Sequence, residues 1–168
     1  IYMIYVSGGH EEGVGLEAFF KSLQYFDHHD LQNICLSYPE QELATYLSKT
    51  THLDYQISQN KLTVNRREIA YLPTRASNRS PSQSSVDTIL NKIKSQDLLY
   101  TLPTTKDQFY HGPSKNQEVL CKGHTEYFRC LYPDRFFLMC FSGPFFSMVL
   151  LSDHVPLSEV NSSLEKQS

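Results

Sequence analysis

The spacing of apolar and polar positions changes period several times along this chain, and each change marks an element. Ile1 to Val6 is a β-branched and aromatic run that stops at Ser7-Gly8-Gly9, and after Gly13 and Gly15 the pattern turns helical. Leu16, Phe19, Phe20 and Leu23 then recur at i, i+3, i+4 and i+7, one apolar face expected to pack on a sheet. Asn33 to Ser37 reads as a second strand. Pro39 opens a second helix to about Ser48, in a first turn where its missing N–H costs little. This β-α-β-α order predicts an α/β fold, a mostly parallel sheet with helices on both faces.

From about Leu53 to Leu72 the pattern shortens, and Lys61 to Val64 and Glu68 to Leu72 read as the strands of a hairpin. Thr74 to Ser85, rich in Ser, Asn, Arg and Pro, reads as a polar loop feeding a third helix, with Val86, Ile89, Leu90 and Ile93 at helical spacing. Asp97 to Leu102 is expected to be a buried strand. It ends in Pro103-Thr104-Thr105-Lys106, at the sheet edge where open α/β sheets bind ligands. Tyr110 to Lys122 reads as a mobile loop, followed by a helix starting near His124 and Thr125. The apolar runs Phe136 to Phe141 and Phe145 to Leu151 are strands about a Ser142-Gly143-Pro144 turn. The expected division is a first domain over 1–106, a loop over 107–122 and the start of a second domain over 123–168.

A length of 168 residues, 40% of them apolar, is enough for a real core. The formal charge of -3 gives no field for nucleic acid or an anionic membrane, and neither partner is expected. No apolar run approaches the roughly 20 residues that span a bilayer. Cys35, Cys121, Cys130 and Cys140 are too unevenly spaced for a zinc site or a small disulfide framework, and the reading is reduced thiols in a cytoplasm. Met3 is a candidate natural start.

The glycines of Ser7 to Glu17 invite a phosphate loop, but the spacing fits neither GxGxxG nor GxxxxGK[ST], and His10-Glu11-Glu12 brings negative charge. A strand-to-helix turn is the better reading. In Gly123-His124-Thr125-Glu126, Thr125 can cap a helix while His124 faces whatever lies at its amino end. His154 follows an apolar strand and precedes Val155-Pro156-Leu157, a place for a metal ligand or a local hydrogen bond. His28, His29 and His52 read as surface residues.

Taken in order, Gly13-Val14-Gly15-Leu16-Glu17, Thr101-Leu102-Pro103-Thr104-Thr105-Lys106, Gly123-His124-Thr125-Glu126-Tyr127-Phe128 and Asp153-His154-Val155-Pro156-Leu157-Ser158-Glu159-Val160 resemble the 4-hydroxythreonine-4-phosphate dehydrogenase family, from the first strand to about Val160. The resemblance implies an isocitrate/isopropylmalate-dehydrogenase-like fold, incomplete here. It implies oxidation, with decarboxylation, of the phosphorylated amino acid 4-phosphohydroxy-L-threonine in vitamin B6 coenzyme synthesis. NAD and a divalent metal (Zn, Mg or Co) would be the cofactors, and a cytoplasmic homodimer the assembly, formed through the second domain. By position, His124 and Thr125 match the pair that touches substrate, and His154 the first of three metal-binding histidines. Lys106 stands where the family has a lysine or polar residue and is a weaker substrate contact. No catalytic or NAD-binding residue is assigned.

Two departures qualify what is implied. Ser-Gly-Gly-His-Glu-Glu replaces the family's Pro-Gly-Asp/Glu-Pro run, the mark of a divergent member. The family's other two metal histidines, with most of its NAD and phosphate contacts, have no counterpart in this chain, which therefore reads as a fragment or truncated form, inactive by itself. The alternatives are a noncatalytic α/β module that binds a small ligand or a protein, and a structural domain with no ligand.

Overall fold

In the computed structural model the chain is described except at residues 1, 51, 75–76, 113–116, 136, 151, 153–155 and 162–168. The short β-branched run becomes β1 (Ile4–Ser7), which lies between two parallel neighbours, β2 (Ile34–Pro39) and β6 (Leu98–Thr101). β5 (Arg67–Thr74) adds in parallel beyond β2, and β4 (Lys61–Val64) and β3 (Tyr55–Ser58) follow it as an antiparallel meander. The sheet order is β3-β4-β5-β2-β1-β6, so five of the six strands point one way and only β4 runs against them. The mostly parallel α/β sheet expected from the sequence is therefore present.

Strand alternation divides the packing between two faces. On one face Val6, Ile34, Leu36, Tyr38, Leu62, Val64, Ile69 and Tyr71 form a continuous core with Leu16, Phe19 and Phe20 of α1 (Gly15–Ser22) and Leu43 and Leu47 of α3 (Glu40–Lys49). Leu31, from the single turn α2 (His28–Leu31), joins the same cluster. The opposite face is covered by α4 (Pro81–Leu90), whose Val86 and Ile89 are buried outside that cluster and whose Ser85 hydroxyl donates to the carbonyl of Ser37. The chain thus passes from β1 outward through β2 to β5 with its helices on one face, then returns along α4 on the other to β6. That order reverses direction between β1 and β6, the kind of switch point at which doubly wound sheets open a crevice.

Several expectations need correction. Asp97 to Leu102 is not a buried strand: among the described residues β6 is an edge, with Leu98 56% and Tyr100 59% exposed. An apolar run reads the same in a central or an edge strand, because hydropathy does not report what lies alongside. Thr74 to Ser85 is not all loop. Ser80 caps α4 by accepting from the N–H of Gln83, Pro81 takes the first helical position, and Ser82, Gln83, Ser84 and Ser85 are buried within the helix. Tyr110 to Lys122 is not simply a mobile loop, since β7 (Phe109–His111) and β8 (Val119–Cys121) pair antiparallel across it. Pro39 ends β2 and caps α3 rather than entering it, and β3 went unread.

The chain forms two compact units, Ile1–Tyr127 and Phe128–Ser168. In the second, the two apolar runs expected as strands form β9 (Met139–Ser142) and β10 (Ser147–Leu150), which pair antiparallel, with Phe145 and Phe146 falling in the turn and not in the second strand. Phe145 is 95% exposed and Phe146 74% exposed. No helix among the described residues is long and apolar enough to cross a membrane.

Candidate functional site

The glycine loop after β1 is built for close packing. A Cβ on Gly8 would sit 1.8 Å from the ring of Tyr38, and one on Gly9 would sit 2.1 Å from the carbonyl oxygen of Pro103. Several of its backbone donors are engaged as well. Gly8 N–H donates to Ser85 Oγ at 3.0 Å, His10 N–H to the Pro103 carbonyl at 3.2 Å, and Gly13 N–H to the His10 carbonyl at 3.0 Å. These bonds stitch the β1 loop to α4 and to the segment after β6, so the loop is the strand-to-helix turn that its spacing indicated. Gly9→Ala is expected to cost about 1–3 kcal/mol, because the obstructing atom is backbone and cannot swing aside. Urea denaturation of the variant measures this.

The residues after β6 are held by the first turn of α4. Ser80 Oγ donates to the Gln108 carbonyl at 2.7 Å, and the Ser82 and Thr104 hydroxyls lie 3.0 Å apart. Gln83 reaches β7, where its Nε2 donates to the Tyr110 carbonyl at 2.8 Å and its Oε1 accepts from the Tyr110 N–H at 3.0 Å. Lys106 projects from the turn inside this gripped segment and is exposed. Next to it the Asp107 carboxyl is held below the usual carboxylate range, first by the Thr105 hydroxyl.

α5 (His124–Leu131) begins beside that segment, after Gly123 in a left-handed conformation at φ +87°. His124 is its first residue and Thr125 its second, so Thr125 lies in the first turn and is not the cap. Glu126 accepts from the Lys122 N–H and closes the amino end. Thr125 is exposed. The imidazole of His124 packs on the ring of Phe109 with centroids 4.7 Å apart, and burial pushes it down to about 4. It is therefore neutral at physiological pH. One turn on, Tyr127 rests on the same Phe109 ring at 5.0 Å, accepts from Gln83 Nε2 at 3.2 Å and donates to Asp87. Burial raises the Asp87 carboxyl, and the Tyr127 hydroxyl and the Arg79 charge partly offset that rise.

His124, Thr125 and Lys106 thus belong to neighbouring segments of one unit, joined through Phe109 and α4. His154 lies outside the described residues. Gln83, Asp87, Phe109 and Tyr127 were not singled out from the sequence, although Ser80-Pro81-Ser82-Gln83 carries the S-x-x-Q form of a capping box. The box is only half made, because the Gln83 side chain turns to Tyr110 and Tyr127. A cluster of Asp27, His29 and Asp30 has ligand atoms within 4.8 Å of one another, but it is exposed, and Asp27 already caps α2 by accepting from the Asp30 N–H.

No family model matches the sequence, and neither a curated protein nor a solved structure matches the chain.

Proposed function

We propose that this chain carries the substrate-binding first part of a metal- and NAD-dependent dehydrogenase similar to the 4-hydroxythreonine-4-phosphate dehydrogenases, in an isocitrate/isopropylmalate-dehydrogenase-like fold. The observation that supports it best is the placement of a neutral, desolvated imidazole and an exposed hydroxyl in the first turn of α5. A neutral imidazole can accept a hydrogen bond from a substrate hydroxyl, and Thr125 offers a second polar contact. Lys106 supplies a full positive charge from the turn after β6. The proposed ligand is accordingly a small phosphorylated hydroxy-amino acid, with 4-phosphohydroxy-L-threonine the specific candidate.

The glycine-loop donors at Gly8, His10 and Gly13 are bonded within the protein, so those three do not serve a dinucleotide phosphate. One histidine, His154, is the proposed metal ligand, whereas a catalytic zinc usually takes three protein ligands. The chemistry assigned to this chain is therefore to bind and orient substrate and to shield its hydroxyl from water. A homodimer in the cytoplasm belongs to the same proposal. The engaged glycine-loop donors favour one second reading, a noncatalytic module that binds the same class of ligand without a dinucleotide.

Calorimetric titration with 4-phosphohydroxy-L-threonine tests the reading. Saturable binding is expected to weaken about tenfold in Thr125→Val, the effect of losing roughly 1.4 kcal/mol of hydrogen bonding. Thr125 is exposed, so this variant keeps the fold. Binding unchanged by Thr125→Val and His124→Ala would remove the site from this helix. NADH formation by the chain itself is expected to be absent under either reading.

A further inference from the structure

The buried side of α4 carries a polar network whose hydrogen bonds end on the segments that bear the candidate site. Gln83 is 2% exposed, and its amide is fully committed: both Nε2 protons are donated, to the Tyr110 carbonyl and the Tyr127 hydroxyl, and Oε1 accepts from Tyr110 N–H. A flipped amide would face carbonyl with carbonyl and N–H with N–H, so its orientation is fixed. The Tyr127 hydroxyl is likewise used in both senses, accepting from Gln83 and donating to Asp87. Tyr127 and His124 are three residues apart on one face of α5, and both rings rest on Phe109.

We propose that Gln83 and Tyr127 are positioning residues of the candidate site: Gln83 fixes β7, which follows the segment bearing Lys106, and through Tyr127 it fixes the rotation of α5 that aims His124. This rests on the functional reading above for the identity of the ligand, but not for the positioning itself. A leucine or methionine would fill the volume of Gln83 without the cost of desolvating an amide. What the amide adds is direction, because one side chain binds the backbone of β7 as a neighbouring strand would and passes the constraint to α5. The short reach of an aromatic hydroxyl does the same for Tyr127. A phenylalanine would keep the contact with Phe109 and lose both hydrogen bonds.

The test is solution NMR on the whole chain in wild type, Tyr127→Phe, Gln83→Met and Gln83→Glu. In the ligand-free wild type, the His124 ring protons are expected to be displaced by the ring current of Phe109 and to show nuclear Overhauser contacts to it. Tyr127→Phe and both Gln83 variants are expected to lose that displacement and those contacts, while the methyl signals of Leu36, Val6 and Leu62 in the main core stay in place. Gln83→Glu keeps size and acceptors but removes the two donors, so it separates direction from volume. An unchanged His124 signal in all three variants overturns the proposal. So does a change that spreads through the main core, because that is loss of fold rather than of aim. If 4-phosphohydroxy-L-threonine proves not to bind, the functional reading fails while these ligand-free results still decide the positioning.

Discussion

Phe109→Ala is expected to destabilise the first unit by about 3–5 kcal/mol, the range for removing a large buried aromatic ring. Phe109 is completely buried, yet it stands outside the main core cluster, in a satellite formed with His124 and Tyr127. Its loss therefore removes the surface on which the first turn of α5 is laid. Water admitted beside His124 would also relieve the desolvation that holds its imidazole near 4, and the titration midpoint should climb towards the ordinary value. Phe109→Leu, closer in volume, is expected to cost less than about 1.5 kcal/mol and to leave most of that depression in place. Urea denaturation and an NMR titration of the His124 ring measure the two effects. A stable Phe109→Ala protein with an unchanged His124 midpoint would contradict this account of the site.

Acid is expected to weaken the fold through the same histidine. Its folded-state midpoint of about 4 lies below the 6.5 of an unfolded histidine, so between those values the unfolded chain binds the proton more readily. The stabilisation is fully present above pH 6.5, is lost as pH falls through the window, and is gone below about 4. The shift corresponds to something on the order of 3 kcal/mol, at about 1.4 kcal/mol per unit. Asp87 works in the opposite direction: its raised folded-state value favours the protonated carboxyl, so its contribution grows as pH falls and offsets part of the loss. The difference between wild type and His124→Gln isolates the histidine. Urea midpoints measured from neutral pH down to pH 4 should fall more steeply in the wild type. Parallel curves would mean that His124 is not desolvated.

The parts of the fold that could be read from the sequence are those in which one periodicity persists. Leu16, Phe19, Phe20 and Leu23 kept helical spacing and are all buried against the sheet, and the alternation of strands with helices gave the mostly parallel arrangement. What escaped depends on neighbours distant in sequence. Nothing in Leu98-Leu99-Tyr100-Thr101 says that no further strand lies beyond it among the described residues. The polarity of Ser82 to Ser85 suggested solvent, whereas those hydroxyls and the Gln83 amide find partners on β2, Thr104, Ser77 and β7. Strands as short as β7 and β8 contain too few residues to show a period.

The candidate site was legible as residue types more than as geometry. The histidine and threonine at the head of a helix were marked by Gly123 and the polar-to-apolar change after it, and α5 does start there. The surface that holds them could not be read from local pattern, since Gln83 and Asp87 are about forty positions earlier in the chain. The glycine loop shows the opposite case. Its departure from phosphate-binding spacing was visible at once, and the reason for its glycines, the Tyr38 ring and the Pro103 carbonyl, emerged only from the packing.

The central claim, that the first turn of α5 faces a phosphorylated hydroxy-amino acid, is tested most directly by locating that molecule on the protein. Intermolecular nuclear Overhauser contacts measured with 4-phosphohydroxy-L-threonine should connect its carbon-bound protons to the His124 ring and the Thr125 methyl group, with the Lys106 amide shifting on saturation. Contacts confined to any other surface, or none at concentrations that saturate the chain, would contradict it.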